Sequence, residues 1–151
     1  KIGVSWHTES SSHGRYRNIK LKKFSNLFKN INAEFINLQY GDHSIDIDRL
    51  SKKLGKNIFL NDDIDNKNDL EGLSAKIDVC DLIISIDNST LHLAGTLNKE
   101  TIGLIPDIGD WRWMNYPEKT PWYKSVILYR NKGDWDSTIL KVQNYCENKF
   151  N

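Results

Sequence analysis

Asp81-Leu82-Ile83-Ile84-Ser85-Ile86-Asp87-Asn88-Ser89-Thr90-Leu91-His92-Leu93-Ala94-Gly95 is the stretch that decides how this chain folds. Its first half is a continuous β-branched run, which suits a central parallel strand covered on both faces. Its second half opens on helix-capping residues, Asp87 to Thr90, and continues with Leu91, Ala94 and Leu97 at helical spacing. A buried strand that turns directly into a helix is the repeating unit of a doubly wound α/β fold.

The same alternation runs outward in both directions. Upstream, Ile2 to Trp6 reads as a first strand, followed by a polar loop from His7 to Arg17. Leu21, Phe24, Leu27, Phe28 and Ile31 then recur at helical spacing, with a basic outer face. Phe35 to Leu38 is a second strand, ended by the turn Tyr40-Gly41-Asp42. Ile47, Leu50 and Leu54 mark a helix with Gly55 as its C-cap, and Ile58 to Leu60 a short third strand. Leu70, Leu73 and Ile77 mark the helix that follows an acidic loop. Downstream, Thr101 to Ile105 is a strand stopped by Pro106, and Val126 to Tyr129 is the sixth. A last helix starts near Asp134 with Ile139, Val142 and Cys146 inward. The expectation is one α/β domain over residues 1–151, a Rossmann-like doubly wound parallel sheet of about six strands.

Composition narrows the function classes. The 21 basic and 20 acidic side chains of the 151-residue chain nearly cancel, so nothing global points to nucleic acid or to an anionic membrane. No apolar run is long enough to span a bilayer, and there is no secretory signal. Cys80 and Cys146 are too few and too far apart for a zinc site or a disulfide framework, and both sit in apolar patterns. Buried free thiols in a soluble, cytoplasmic protein are expected. The chain enters an apolar run straight after Lys1, which reads as a piece of a longer protein.

Ligands of open parallel sheets bind beyond the carboxyl ends of the strands. Three loops there stand out. Asp87, Asn88, Ser89 and Thr90 lead into a helix whose start offers free amides and a positive dipole end, with hydroxyls from Ser89 and Thr90 and an imidazole from His92. The same residues would serve equally as plain helix caps, with His92 at the surface. Ala94 and Gly95 would let the helix lie close to the sheet. The loop from His7 to Arg17 carries His13, Arg15 and Arg17, cations that could close on a diphosphate, although by itself such a loop reads first as a solvated one with no ligand. The third loop holds Asp110-Trp111-Arg112-Trp113 and then Pro121-Trp122-Tyr123, aromatics that can stack on a base or a sugar. Packing is expected of at least one of Trp111 and Trp113, and of Trp135. His43 follows a turn and is expected at the surface. The acidic loop from Asn61 to Asp69 lacks the pattern of a calcium-binding loop, and no metal site is expected. No glycine-rich dinucleotide or Walker motif occurs. A phosphoacceptor receiver is a poor fit, since His7-Thr8-Glu9 stands where paired acids are wanted.

With these residues in view, the chain resembles the C-terminal glycosyltransferase domain of bacterial tetratricopeptide-repeat proteins. That domain is itself similar to the ADP-heptose:lipopolysaccharide heptosyltransferases and, more distantly, to O-linked N-acetylglucosamine transferase. The matching segments are Gly3-Val4-Ser5-Trp6, Arg17-Asn18-Ile19, Asn37-Leu38-Gln39 with Gly41, Asp81 to Gly95, Asp110-Trp111-Arg112-Trp113, Pro121-Trp122-Tyr123 and Gly133-Asp134-Trp135. They span nearly the whole chain in order.

The resemblance implies a GT-B architecture, in which two Rossmann-like domains face each other and the C-terminal one holds a nucleoside-diphosphate sugar. Carried over, Ser89, Thr90 and His92 would contact the diphosphate, with Asp87 and Asn88 at the same turn and Arg17 and Arg15 assisting. Gln39 and Asp69 would lie near the nucleotide, and Trp111 would border the cleft. The implied activity is sugar transfer to an unknown acceptor, with the nucleotide sugar as substrate and no further cofactor. An N-terminal GT-B half and tetratricopeptide repeats are the implied partners, and without that half the isolated domain is expected to be inactive. The first loop departs from the family's longer Asn-Pro-x-His run, and Asn18 stands where a serine is usual. The rival expectation is a non-catalytic nucleotide- or protein-binding module that kept the fold.

Overall fold

A computed structural model describes residues 1–11, 14–60 and 63–151. His13 of the first loop, and Asn61 and Asp62 of the acidic loop, lie outside the described residues.

Five parallel strands form one sheet in the order β2-β1-β3-β4-β5: β1 Ile2–Ser5, β2 Phe35–Asn37, β3 Leu82–Ile86, β4 Thr101–Ile105 and β5 Val126–Arg130. All four pairings are parallel, with β1 registered on both sides, Val4 opposite Asn37 and Ile84. The expected third strand at Ile58 to Leu60 is reduced to a single parallel bridge between Phe35 and Phe59. It would lie at the edge, beside a β2 of only three residues, so no longer ladder can form.

Among the described residues, five α-helices lie between these strands and a sixth follows β5: α1 Gly14–Arg17, α2 Ser25–Asn30, α3 Ser44–Leu54, α4 Leu70–Asp78, α5 Ser89–Thr96 and α6 Trp135–Phe150. The expected first long helix is instead a 3₁₀ turn over Leu21–Phe24 that runs into α2. The α1 turn carries no apolar period and lay hidden in what reads as a polar loop. Gly55 ends α3 in the left-handed conformation at φ 67°, as its position as C-cap requires.

The period-two alternation of the strands sorts side chains onto two faces. Ile2, Val4, Leu82, Ile84, Ile86, Ile102 and Leu104 pack on one face against Phe24, Leu27, Phe28, Leu50, Ile139, Val142 and Cys146. That face is covered by α2, α3 and α6. Ile36 and Ile83 look the other way, toward Leu73, Ile77 and Ala94 of α4 and α5. Each such side chain contributes roughly 1.5–3 kcal/mol by leaving water. Gly3 on this second face has no room for a side chain, because a Cβ there would lie 2.5 Å from Leu38 and 2.8 Å from Ile83. Leu70 is not inward as its spacing suggests; it is exposed at the first turn of α4.

Both cysteines are free and buried. Burial pushes the Cys80 thiol up to about 11 and the Cys146 thiol up to about 12, so neither supplies a thiolate near neutral pH. Among the described residues, no helix is long and apolar enough to cross a membrane.

Candidate functional site

Because every strand runs the same way, all their carboxyl ends meet at one edge. A cleft of about 330 Å³ opens there. Thr8 follows β1, Tyr40 follows β2, and Asp87 and Asn88 follow β3. Ser89 and His92 come from α5, Arg17 from α1, and Asp110 and Arg112 from the loop after β4.

The tip of α5 forms one wall. Asn88 is its N-cap, with Oδ1 accepting from the Leu91 amide at 3.3 Å. The same side chain donates from Nδ2 to Ser5 Oγ at 2.8 Å, and Ser85 Oγ sits 3.0 Å from its Oδ1. Asn88 therefore ties the helix tip to both β1 and β3. The amides of Ser89 and Thr90 have no intrahelical acceptor, as at any helix start. Ser89 is exposed to the cleft. Thr90 is not the second hydroxyl donor expected, because the whole residue is only 1% exposed. One helical step of about 100° carries it to the buried side with Leu91 and Ala94.

The floor is an alternating chain of four charges. Arg17 Nε lies 3.1 Å from Asp87 Oδ2, and its Nη2 lies 3.3 Å from Asp110 Oδ2. Arg112 Nη1 reaches the other Asp110 oxygen at 2.8 Å. The Asp87–Arg17 contact is charge pairing rather than an aligned hydrogen bond, since no donor is aimed at that Oδ2. Trp113 Nε1 donates to Asp87 Oδ1 at 2.7 Å. Burial tends to raise the Asp110 carboxyl, but the Arg112 amide and guanidinium, helped by Arg17, hold it below its ordinary value. The charges balance within the protein, so an anion must compete for an arginine. Arg112 is the accessible one: its side chain is 48% exposed, and such a pair is worth at most about 1 kcal/mol.

His92 is held between two aromatic side chains. Its Nδ1 is 3.0 Å from Tyr123 Oη, and its ring stacks on buried Trp113 at 4.9 Å and 17°. Tyr123 fits because Gly95 has no side chain; a Cβ there would lie 2.5 Å from the tyrosine ring. Gly95 thus seats the loop after β4 rather than bringing the helix onto the sheet. Burial lowers the His92 pKa, against the raising effect of Asp87, so a neutral imidazole faces the cleft at neutral pH. His7 is lowered too, by burial first and then by His43. Both folded values lie below the unfolded one of about 6.5, so the unfolded chain binds protons first on acidification. The stability these imidazoles contribute is fully present above that value and lost as pH falls below it. Melting curves between pH 7.5 and 5.5 should show a falling Tm, with a smaller fall in His92→Asn. The lowered carboxylates act in a separate window, near and below about pH 4.

The other sequence candidates lie elsewhere. Gln39 is buried and committed to the scaffold. Its Oε1 accepts from the Trp6 and His7 amides at 2.9 and 2.7 Å, and its Nε2 donates to the His7 and Tyr40 carbonyls. Asp69 caps α4 through the Gly72 amide at 2.8 Å and does not line the cleft. Arg15 lies over the Tyr16 ring on the far side of α1, because neighbours two apart on a helix face different ways. Trp111 is 71% exposed beside the cleft, with Arg112 over its ring at 5.0 Å, while Trp113 is fully buried. Trp135 is half-buried against the core, in keeping with a packing role. His43 is not simply exposed; its ring meets Trp6 edge-on at 5.6 Å. Asn18 closes the first loop, accepting from the Thr8 amide at 2.7 Å and donating to its carbonyl at 3.0 Å. Sequence reasoning missed Thr8, Tyr40 and the bridging role of Asp110. Only the Asp110-x-Arg112 spacing hinted at a pair.

Among the described residues, no cluster of His, Cys, Asp or Glu could hold a metal ion. No family model matches the chain. The chain is similar to Protein FlbA of Caulobacter vibrioides, with 29% identity over 145 residues, covering 94% of this chain and 24% of that protein. The chain thus spans about a quarter of the length of the curated relative it matches.

Proposed function

We propose that this chain is the donor-binding domain of a glycosyltransferase, taking the diphosphate of a nucleoside-diphosphate sugar at the tip of α5. One observation carries the reading. A helix start whose first residue, Ser89, is exposed and has an amide with no intrahelical acceptor opens into a cleft that also holds an imidazole and an accessible guanidinium. Helix starts with this equipment bind phosphates.

In such a domain the leaving diphosphate gains negative charge as the sugar departs. The Ser89 amide and hydroxyl, His92 and Arg112 would stabilise that charge with fixed dipoles and donors. Arg112 would turn from Asp110 to phosphate, while Arg17 stays locked between Asp87 and Asp110. No residue of this chain is assigned as catalytic base, and a facing domain would supply the acceptor site.

The test is calorimetry and thermal shift of the chain with UDP, GDP, ADP and CMP. One nucleoside diphosphate should bind and raise Tm, with about 2.7 kcal/mol of stabilisation at a hundredfold excess over Kd. Ser89→Asp, which sets a carboxylate at the helix tip, should abolish that binding. His92→Ala should weaken it roughly tenfold and, in the full-length protein, slow sugar transfer by roughly 10² or more. No stabilisation by any of the nucleotides, or unchanged binding by Ser89→Asp, would return the domain to a module that kept only the fold.

A further inference from the structure

A second groove, of about 760 Å³, lies between the segment from Trp6 to Lys22 and helix α3. It is separate from the cleft: α1 stands between them, with Arg17 on the cleft side and Arg15 on the groove side. Arg15, Lys20 and Lys22 line one side, Arg49 and Lys53 the other, and among the described residues Asp46 is the only carboxylate lining it. A chain of net charge +1 thus gathers five exposed cations around one hollow.

These cations are poorly neutralised. Asp46 pairs with Arg49 at 3.6 Å, and both side chains are largely exposed, so the pair is weak. Among the described residues, Lys20, Lys22 and Lys53 make no ion pair. The floor is apolar, built from buried Trp6, Ile19 and Leu50. Beside it, buried His7 Nδ1 has no hydrogen-bond partner, and its ring meets His43 edge-on at 4.9 Å. Facing rows of like charge repel one another unless an anion lies between them. The hollow has the size of a small-molecule site. Its one large aromatic, Trp6, is 2% exposed, so it offers no platform on which nucleic-acid bases could stack.

We propose that this groove binds a small ligand carrying two or more phosphate groups, at a site independent of the nucleotide cleft. The two cation rows would take the phosphates, and the apolar floor the body between them. The inference does not rest on the glycosyltransferase reading.

The test titrates the chain with tripolyphosphate and, separately, with a hexose bisphosphate, by calorimetry at low salt. Saturable binding of one of them should weaken roughly tenfold or more in Lys20→Glu/Lys53→Glu. It should stay near wild type in Lys29→Glu/Lys132→Glu, a matched reversal outside the groove, while the cleft variant Arg112→Glu should leave a saturable site behind. Tighter binding of the hexose bisphosphate assigns a phosphorylated sugar; tighter binding of tripolyphosphate assigns a polyphosphate chain. All the substituted positions are exposed, and circular dichroism checks that the fold is kept. The proposal is overturned if neither probe saturates, if the remote reversal weakens binding equally, or if only Arg112→Glu does. Nucleotide affinity measured on Lys20→Glu/Lys53→Glu should be unchanged, so the groove can fail while the cleft reading stands.

Discussion

Trp113→Ala is expected to be the most damaging single truncation near the cleft, lowering the free energy of unfolding by about 4 kcal/mol. Trp113 is fully buried, packed with Leu91, Ile105, Val126 and Leu128 beneath the loop after β4. Removing the indole opens a cavity, takes the stacking partner from His92 and leaves Asp87 Oδ1 without its donor. A domain of this size has about 5–15 kcal/mol of stability in all, so the loss is a large share. Urea unfolding of Trp113→Ala beside Trp113→Phe separates the parts. Phe keeps most of the ring but not the N–H, and should cost about 1–3 kcal/mol for the unmet carboxylate oxygen. Equal losses in the two variants would mean that volume at this position does not matter, and the packing account would fail.

Arg17→Met should cost about 3 kcal/mol, for an electrostatic reason. The guanidinium sits between Asp87, whose side chain is 4% exposed, and Asp110. Methionine fills part of the space but leaves a buried carboxylate with only the Trp113 N–H facing it. The double variant Arg17→Met/Asp87→Asn removes that uncompensated charge and should recover most of the loss. The comparison is again of unfolding free energies. A double variant as unstable as the single would show that Arg17 matters for packing and not as a counter-charge.

Much of the architecture was legible in the order of residues. The apolar run Leu82 to Ile86, the cap at Asn88 and the αL glycine at Gly55 are local features, and local backbone preference decides them. Four inter-strand helices and five of six strands followed from periodicity. The edge segment at Ile58 to Leu60 did not become a strand, because pairing depends on what lies beside it and not on β-propensity alone. The single turn of α1 carries no period to read.

The site divides in the same way. Ser89, Asn88 and His92 stand where the strand-to-helix turn puts them, within a few residues of one another, so the candidate cleft could be located from the sequence. Which side chains reach it could not. Thr90 turns inward, Gln39 commits its amide to the backbone of Trp6 and His7 just after β1, and Arg15 and Arg17 part to opposite sides of α1. Arg17 meets Asp87 and Asp110 across 70 and 93 residues of chain. The sequence by itself determined the elements, the caps and the edge where a ligand would sit, because these depend on spacing and backbone preference over a few residues. Only the tertiary structure decided the charge chain, the Tyr123–His92–Trp113 stack and the basic groove, because each joins side chains that packing alone brings together.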